Sequence, residues 1–381
     1  MSNYLQNMRK IGLYIHIPFC VRKCNYCDFV SFSDKFDYVD IYFSQLKKEL
    51  QSIICQKNDF VFNTVYIGGG TPSYVDSQYI IQIMSIIKDI ITKDCEVTIE
   101  VNPATVDLCK LSDYISAGIN RISIGIQSFE PNLLNSLGRI HSSKNAIDTV
   151  LLAKKAGFKN INIDLIYGVP SVCGQPQQTI SDWMNTLNIA CDLGVQHISA
   201  YSLIIEEGTN VYKWGCEYID DTIDREMFYM CKNVLEKKGY MQYEISNFAI
   251  PCYESKHNIR YWKCDEYIGV GLNSASYFDG IRYKNTDDFH RYLIGNYLDE
   301  NETVILTESD KMNEFMMLGF RMIDGPCPEE FKQRFHKDFI DVFGEKLLDL
   351  SKRGLIVKTN GRYNLTPKGL DYANEIFREF V

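Results

Sequence analysis

The sequence has no uninterrupted apolar run of about 18 residues, the length that a membrane-spanning helix requires. The apolar stretch of residues 11–19 contains His16 and Pro18, and the small-residue cleavage site of a secretory signal is missing. We therefore expect neither a transmembrane helix nor an export signal, and we expect the protein to be cytoplasmic.

Positive charge is also scarce. The 381 residues include 40 Lys and Arg against 49 Asp and Glu, which gives a formal net charge of −9. Because an acidic surface repels phosphate backbones, no nucleic-acid partner is expected. Hydrophobic residues make up 45% of the chain, enough to bury a substantial core.

From residue 12 to about residue 247, β-like and helix-like segments alternate along the chain. This order predicts parallel strands covered by helices, an α/β fold, and six or seven such units favour an incomplete (β/α) barrel over an open doubly wound sheet. The predicted strands are rich in β-branched and aromatic residues and span residues 13–17, 61–67, 96–101, 121–126, 160–166, 197–203 and 241–246.

Polar and glycine-containing motifs follow these predicted strands. Cys20 comes after the first strand, Gly68 to Pro72 after the second, and Glu100 lies at the end of the third. Since the carboxyl ends of parallel barrel strands meet at one mouth, the sequence predicts an active or binding site there.

The character of the sequence changes after residue 290. Residues 309–321, 328–335 and 338–353 are predicted helices, and residues 354–357 and 362–365 a short hairpin before a last helix. We therefore expect two domains, residues 1–290 and residues 291–381, the second smaller, mainly helical and similar to a winged helix. One hypothesis is a sensor that reads DNA through this part, although the acidic charge weighs against it.

Thirteen cysteines are an odd number for a chain without an export signal, so they are expected to be reduced thiols. Three of them form the pattern Cys20-x3-Cys24-x2-Cys27 on one predicted loop. Three thiolates at this spacing can bind three irons of a [4Fe–4S] cluster and leave the fourth iron to the amine and carboxylate of S-adenosylmethionine. A structural zinc site is the alternative, but zinc usually requires four ligands, and no second Cys-x2-Cys pair is present.

Several further segments occur in a fixed order: residues 13–20, 68–72, 100–103, 120–129, 137–141, 164–170 and 243–248, and the motif His257-Asn258-x-x-Tyr261-Trp262. Together they resemble the oxygen-independent coproporphyrinogen III dehydrogenase-like family of radical-SAM proteins over roughly residues 12–280. The resemblance implies a radical-SAM partial (β/α) barrel that binds a [4Fe–4S] cluster and S-adenosylmethionine.

The resemblance also implies a set of binding residues. Tyr14 would lie beside the cluster and touch S-adenosylmethionine, while Gly69, Gly70 and Thr71 would receive its methionine part. The remaining residues that the resemblance assigns to this site are Tyr26, Glu100, Gln127, Arg139, Asp164 and Ala200.

Two branches of this family differ near the cluster. The dehydrogenase branch carries a further Cys two positions after the third cluster Cys, where this chain has Phe29. The heme chaperones of the HemW type have Cys-Asp-Phe at this point and the His-Asn-x-x-Tyr-Trp motif. The resemblance therefore favours a heme chaperone with His257 as heme ligand, and oxidative decarboxylation of coproporphyrinogen III is the alternative function.

The resemblance to heme chaperones also implies partners. They are heme, apo-hemoproteins that accept it, and an electron donor to the cluster. Contact with a membrane is expected only through the acceptors, and a homodimer formed through the cluster region is left open. The sequence leaves it undecided whether the protein acts as an enzyme.

Overall fold

A computed structural model describes residues 8–56 and 59–381. The first seven residues of the predicted barrel domain lie outside the described residues. The strands are β1 (Arg9–Ile17), β2 (Phe60–Gly69), β3 (Ile91–Val101), β4 (Arg121–Gln127), β5 (Asn160–Tyr167), β6 (His197–Ser202), β7 (Met241–Glu244), β8 (Asn247–Ala249), β9 (Tyr267–Val270), β10 (Ala275–Phe278), β11 (Ile281–Asn285), β12 (Leu298–Ile305), β13 (Ile356–Thr359) and β14 (Arg362–Leu365).

The helices between and after these strands vary from one turn to five. They are α1 (Val39–Gln56), α2 (Ser77–Ile87), α3 (Leu108–Ser116), α4 (Pro131–Ser136), α5 (Ser143–Ala156), α6 (Ile180–Asp192), α7 (Asn210–Lys213), α8 (Asp221–Lys237), α9 (Lys256–Trp262), α10 (Phe289–Leu293), α11 (Glu308–Gly319), α12 (Pro328–Phe335), α13 (Phe339–Lys352), α14 (Pro367–Asp371) and α15 (Ala373–Arg378). None of the described helices is both long enough and apolar enough to span a membrane.

Strands β1 to β6 lie side by side in sequence order and run parallel. They belong to a sheet whose order is β12-β11-β10-β9-β1-β2-β3-β4-β5-β6-β8-β7, so its two ends do not pair with each other. The predicted α/β partial barrel is confirmed. The seventh predicted parallel strand is wrong, because residues 241–244 instead form an antiparallel hairpin with β8 at the sheet edge.

The parallel strands are buried because helices cover the sheet. In β1, for example, Ile11, Leu13, Ile15 and Ile17 are buried in the main core. A strand buried on both faces favours β-branched and apolar residues with little alternation, which is why these runs could be recognised in the sequence. Helix α1 packs its apolar face into the same core. Several helices also begin at a side-chain cap, as at Ser142 before α5.

The C-terminal part has a hydrophobic core of its own, with Phe315, Phe331 and Phe343 among its members. Helices α11 to α13 and the hairpin β13–β14 agree with the predicted elements within a few residues, while the predicted last helix is split into α14 and α15. Strand β12 lies beyond residue 290 and pairs with β11 of the large sheet. The division of the chain at residue 290 stays a prediction.

Candidate functional site

The carboxyl ends of the parallel strands surround a cavity of about 440 Å³. Strands β2 to β6 contribute to its wall, and the loop after β1 supplies the three cysteines of the predicted cluster motif. Eleven of the predicted site residues line this cavity: Cys20, Cys24, Tyr26, Cys27, Gly69, Gly70, Thr71, Glu100, Gln127, Arg139 and Asp164.

The cysteine loop is closed at its base by backbone hydrogen bonds. The Cys20 amide donates to the Phe32 carbonyl at 2.9 Å, and the Phe32 amide donates to the Pro18 carbonyl at 2.7 Å. At its middle, the Asn25 side chain donates to the Ser136 carbonyl at 3.0 Å. These contacts hold the loop against the barrel, so the three thiols keep a fixed place at the cavity wall.

The three thiols lie among hydrogen-bond donors. Thr71 Oγ1 donates to Cys20 Sγ at 3.5 Å, and Arg139 Nη1 donates to Cys24 Sγ at 3.4 Å. Burial raises the pKa of Cys20, and it raises the pKa of Cys27 to about 11. These two cysteines would therefore lose their protons readily only when a positively charged metal centre takes the protons' place.

The three thiols suit an iron–sulfur cluster, whose irons are bound by cysteine thiolates. All 13 cysteines are free thiols. Over residues 8–56 and 59–381, no three His, Cys, Asp or Glu side chains converge as they would on one ion. Thiolates that each bind a different iron of a cube need not converge on one point. Cys20, Cys24 and Cys27 would hold such a cluster, and the adjoining cavity provides space for a further ligand.

Glycines at the end of β2 let the backbone approach the cysteine loop. A Cβ on Gly70 would lie 2.9 Å from the Phe19 carbonyl oxygen and 3.0 Å from Cys20 Sγ, so no larger residue fits without displacing the loop. Gly69 has φ of +113°, in the region that favours glycine. The predicted glycine motif thus forms one wall directly beside the first cluster cysteine.

Two half-buried carboxyl groups lie on β3 and β5, Glu100 on the first and Asp164 on the second. Glu100 accepts hydrogen bonds from Tyr66 Oη at 2.9 Å and from the Gly69 amide at 3.1 Å. Asp164 accepts from Ser123 Oγ at 3.1 Å and from Asn162 Nδ2 at 2.8 Å. Burial, followed by the charge of Asp164, raises the pKa of Glu100 to about 7, and burial also raises the pKa of Asp164. A cationic ligand in this cavity would stabilise both ionised carboxylates.

Arg139 connects the cysteine loop with the ends of β3 and β4. Besides Cys24, its guanidinium donates to Asn102 Oδ1 at 2.6 Å and to the carbonyl of Gly125, while Nε is buried and has no protein partner. Asn102 Nδ2 in turn donates to Thr71 Oγ1 at 2.7 Å. Sequence reasoning did not assign Asn102 or Tyr66 to the site. Asn102 lies in the strand-end segment 100–103, whose position could have indicated it.

Among the predicted residues, Tyr14 and Ala200 lie outside the cavity lining. Tyr14 packs behind it, with its ring centroid 6.3 Å from that of Tyr66 and its hydroxyl 3.0 Å from His16 Nδ1. Ala200 is buried on β6 beside Leu165 of β5. Gln127 does line the cavity and has φ of 71°, an uncommon backbone conformation for a residue other than glycine.

His257 also lies outside the cavity lining, and it is only 1% exposed. Its Nδ1 lies 2.9 Å from Thr64 Oγ1, and its Nε2 lies 2.8 Å from Tyr261 Oη. Burial, with the nearby charges of Arg260 and Arg121, lowers its pKa to about 3. Both ring nitrogens are engaged in this conformation, so the predicted ligation of heme by His257 would require α9 to move.

Comparison with protein families identifies the class. The Radical SAM superfamily matches residues 14–172, and the HemN C-terminal domain matches residues 306–372. The structure of coproporphyrinogen III oxidase (HemN) from Escherichia coli, a radical-SAM enzyme, covers 100% of this chain and 93% of its own with a TM-score of 0.82. At 23% identity this likeness shows the shared fold. The protein is thus of the radical-SAM class, whose cofactors are a [4Fe–4S] cluster and S-adenosylmethionine.

Full-length relatives then narrow the class to a family. The chain is 35% identical to the heme chaperone HemW of Lactococcus lactis, over 97% of this chain and 96% of the relative. It is 33% identical to HemW of Bacillus subtilis and 32% identical to HemW of Escherichia coli, over 97% of this chain and 98% of each relative. The chain belongs to the HemW-type family of radical-SAM proteins.

Proposed function

We propose that this protein is a heme chaperone that binds a [4Fe–4S] cluster, S-adenosylmethionine and heme and delivers heme to apo-hemoproteins. The observation that carries the proposal is a cavity in which three free thiols adjoin two half-buried carboxyl groups and a half-buried arginine. The full-length similarity to heme chaperones supports the function of this site.

In this proposal different cavity residues bind different chemical groups of S-adenosylmethionine. Arg139 pairs with the carboxylate of S-adenosylmethionine, since a guanidinium forms strong charge-assisted hydrogen bonds with carboxylates. Glu100 and Asp164 accept from its ammonium and ribose hydroxyls, and the glycines of β2 allow its methionine part to approach the backbone. When bound, the cluster supplies the electron that cleaves the sulfonium bond of S-adenosylmethionine.

Heme is proposed to bind at the mouth of the same cavity. Phe29 is 59% exposed and Ile204 is 61% exposed, and both line the mouth together with Arg22 and Lys23. Apolar side chains suit the face of a porphyrin, and cationic side chains suit its propionates. The cytoplasmic location, the electron donor and the homodimer stay predictions.

Phe29 also bears on the alternative function. The dehydrogenase branch carries a cysteine where this chain has Phe29, which is exposed and has no thiol to offer a substrate. This residue favours heme binding over the decarboxylation of coproporphyrinogen III.

Heme titration of the purified, cluster-loaded protein tests the proposal. We expect a Soret band that differs from that of free heme, and heme transfer to an apo-hemoprotein in step with occupancy. Ile204→Asp should weaken heme binding by about tenfold, since it replaces apolar contact area with a charge. His257→Ala should leave binding at the mouth within about threefold of the wild type.

Either of two results would contradict this account of the heme site. If His257→Ala abolishes the Soret band while Ile204→Asp leaves it unchanged, the heme binds at His257 and not at the mouth. If the wild-type protein gives only the spectrum of free heme, the protein is not a heme carrier.

The affinity for S-adenosylmethionine should depend on pH through Glu100. The pKa of this carboxyl is about 7 without ligand, and a cation favours its ionised form. The affinity for S-adenosylmethionine should therefore rise as pH increases toward about 7. Above that pH, Glu100 is already ionised without ligand, so it should no longer make the affinity depend on pH. In Glu100→Gln the component centred near pH 7 should disappear and binding should be weaker, as calorimetric titrations between about pH 6 and 8 can measure. An unchanged pH profile in Glu100→Gln would exclude this role.

A further inference from the structure

Helix α9 is held beneath the early parts of β2 and β3, several residues before the cavity. Glu96 of β3 accepts hydrogen bonds from the amides of Lys256 at 3.2 Å and His257 at 3.1 Å. Thr64, which pairs with Glu96 in the sheet, contacts the His257 ring. These contacts fix the first turn of α9 to the sheet.

Tyr66 lies between His257 and the cavity. Its ring is stacked on that of His257, with centroids 5.3 Å apart and an interplanar angle of 28°. Tyr14 stacks against the same ring at 6.3 Å, also at 28°. The rings of Tyr14 and His257 therefore restrict the orientation of the Tyr66 ring.

The hydroxyl group of Tyr66 reaches the cavity and donates to Glu100 Oε1 at 2.9 Å. The other carboxylate oxygen of Glu100 accepts from the Gly69 amide at 3.1 Å. These two contacts determine which way the half-buried carboxylate points, because each of its oxygens accepts one of them. A change in the tilt of the Tyr66 ring would displace one of them.

We propose that His257 is a positioning residue of the S-adenosylmethionine site, which acts by fixing the Tyr66 ring and through it the Glu100 carboxylate. The proposal rests on the proposed role of Glu100 in binding that ligand. It gives the buried histidine of the His-Asn-x-x-Tyr-Trp motif a function in the conformation observed, in which both of its nitrogens are engaged.

The test measures S-adenosylmethionine affinity, cluster content and thermal stability for one set of variants of the full-length, cluster-loaded protein. The set comprises His257→Ala, His257→Phe, Tyr66→Phe, the double variant His257→Ala/Tyr66→Phe, Glu100→Gln, and Glu100→Gln combined with His257→Ala. Trp262→Ala is the matched control, because Trp262 lies on the same helix but packs under the guanidinium of Arg321, 4.3 Å from its ring centroid.

We expect His257→Ala and Tyr66→Phe each to raise the dissociation constant by about three- to tenfold, with iron content unchanged. The double variant should have a dissociation constant no larger than the larger of the two single-variant values, because both changes remove the same support of the Glu100 carboxylate. His257→Phe keeps a ring against Tyr66, so it should lower the melting temperature but retain affinity. Trp262→Ala should lower the melting temperature without changing affinity.

Three outcomes overturn the positioning role alone, each while Glu100→Gln still weakens binding. They are wild-type affinity in His257→Ala, full additivity with Tyr66→Phe, and a loss in Trp262→Ala as large as that in His257→Ala. A fourth outcome that overturns it is persistence of the His257→Ala effect in the Glu100→Gln background. Wild-type affinity in Glu100→Gln overturns the proposed ligand site, and the positioning role with it.

Discussion

Replacement of Cys20, Cys24 or Cys27 with alanine is expected to abolish the iron–sulfur absorbance near about 400 nm after anaerobic reconstitution. Each thiolate would bind a different iron, so the loss of one leaves an iron without a protein ligand. The same variants should bind no S-adenosylmethionine, since that ligand requires the remaining iron. Iron and sulfide content measured beside the spectrum checks this result.

Cysteines away from the cavity provide the controls. Cys55 and Cys109 are exposed, Cys95 is buried and Cys191 half-buried, and none of the four lines the cavity. Alanine at these positions should leave the absorbance intact. If one of them proved as necessary as the triplet, the cluster would have four protein ligands, and S-adenosylmethionine would lose its place on the iron.

Arg139→Ala is expected to weaken S-adenosylmethionine binding by roughly ten- to hundredfold while the cluster still assembles. The loss of one charge-assisted contact costs about 1.5–3 kcal/mol, which corresponds to this range. The half-buried guanidinium also donates to Asn102 and Cys24, so its removal leaves these polar atoms without that partner at the cavity wall. Calorimetric titration of the reconstituted variant measures the effect.

Arg22→Ala is the matched control for Arg139→Ala. Arg22 also lines the cavity, but it lies at the exposed rim. Its replacement should change the affinity for S-adenosylmethionine by less than about threefold, because solvent screens exposed charges. Equal losses in the two variants would show that Arg139 contributes only general positive charge.

The parts of the site that lie in short continuous segments could be predicted from the sequence. The cysteine spacing and the glycine motif each occupy a few consecutive residues, and the parallel strands bring them together at one mouth. Tyr66 was missed because a tyrosine inside a buried strand resembles any other β-forming residue. Only the three-dimensional structure shows that its hydroxyl reaches Glu100.

The surroundings of His257 could not be predicted from the motif. Its ring contacts Thr64, which is far away in the chain, and no local pattern shows that α9 packs against the early part of β2. The antiparallel hairpin at residues 241–249 was also missed, because its strands are too short for periodicity to indicate direction. Strand β12 was missed since its polar, acidic residues lack the alternation of a half-buried strand.

Incubation of one reconstituted sample with heme and, separately, with coproporphyrinogen III distinguishes a heme chaperone from a decarboxylating enzyme. Both assays contain S-adenosylmethionine and reductant, and mass spectrometry follows the porphyrin. We expect heme transfer to an apo-hemoprotein and an unchanged mass for coproporphyrinogen III. Loss of two carboxyl groups from coproporphyrinogen III at enzymic rates, without heme transfer, would contradict the proposed function.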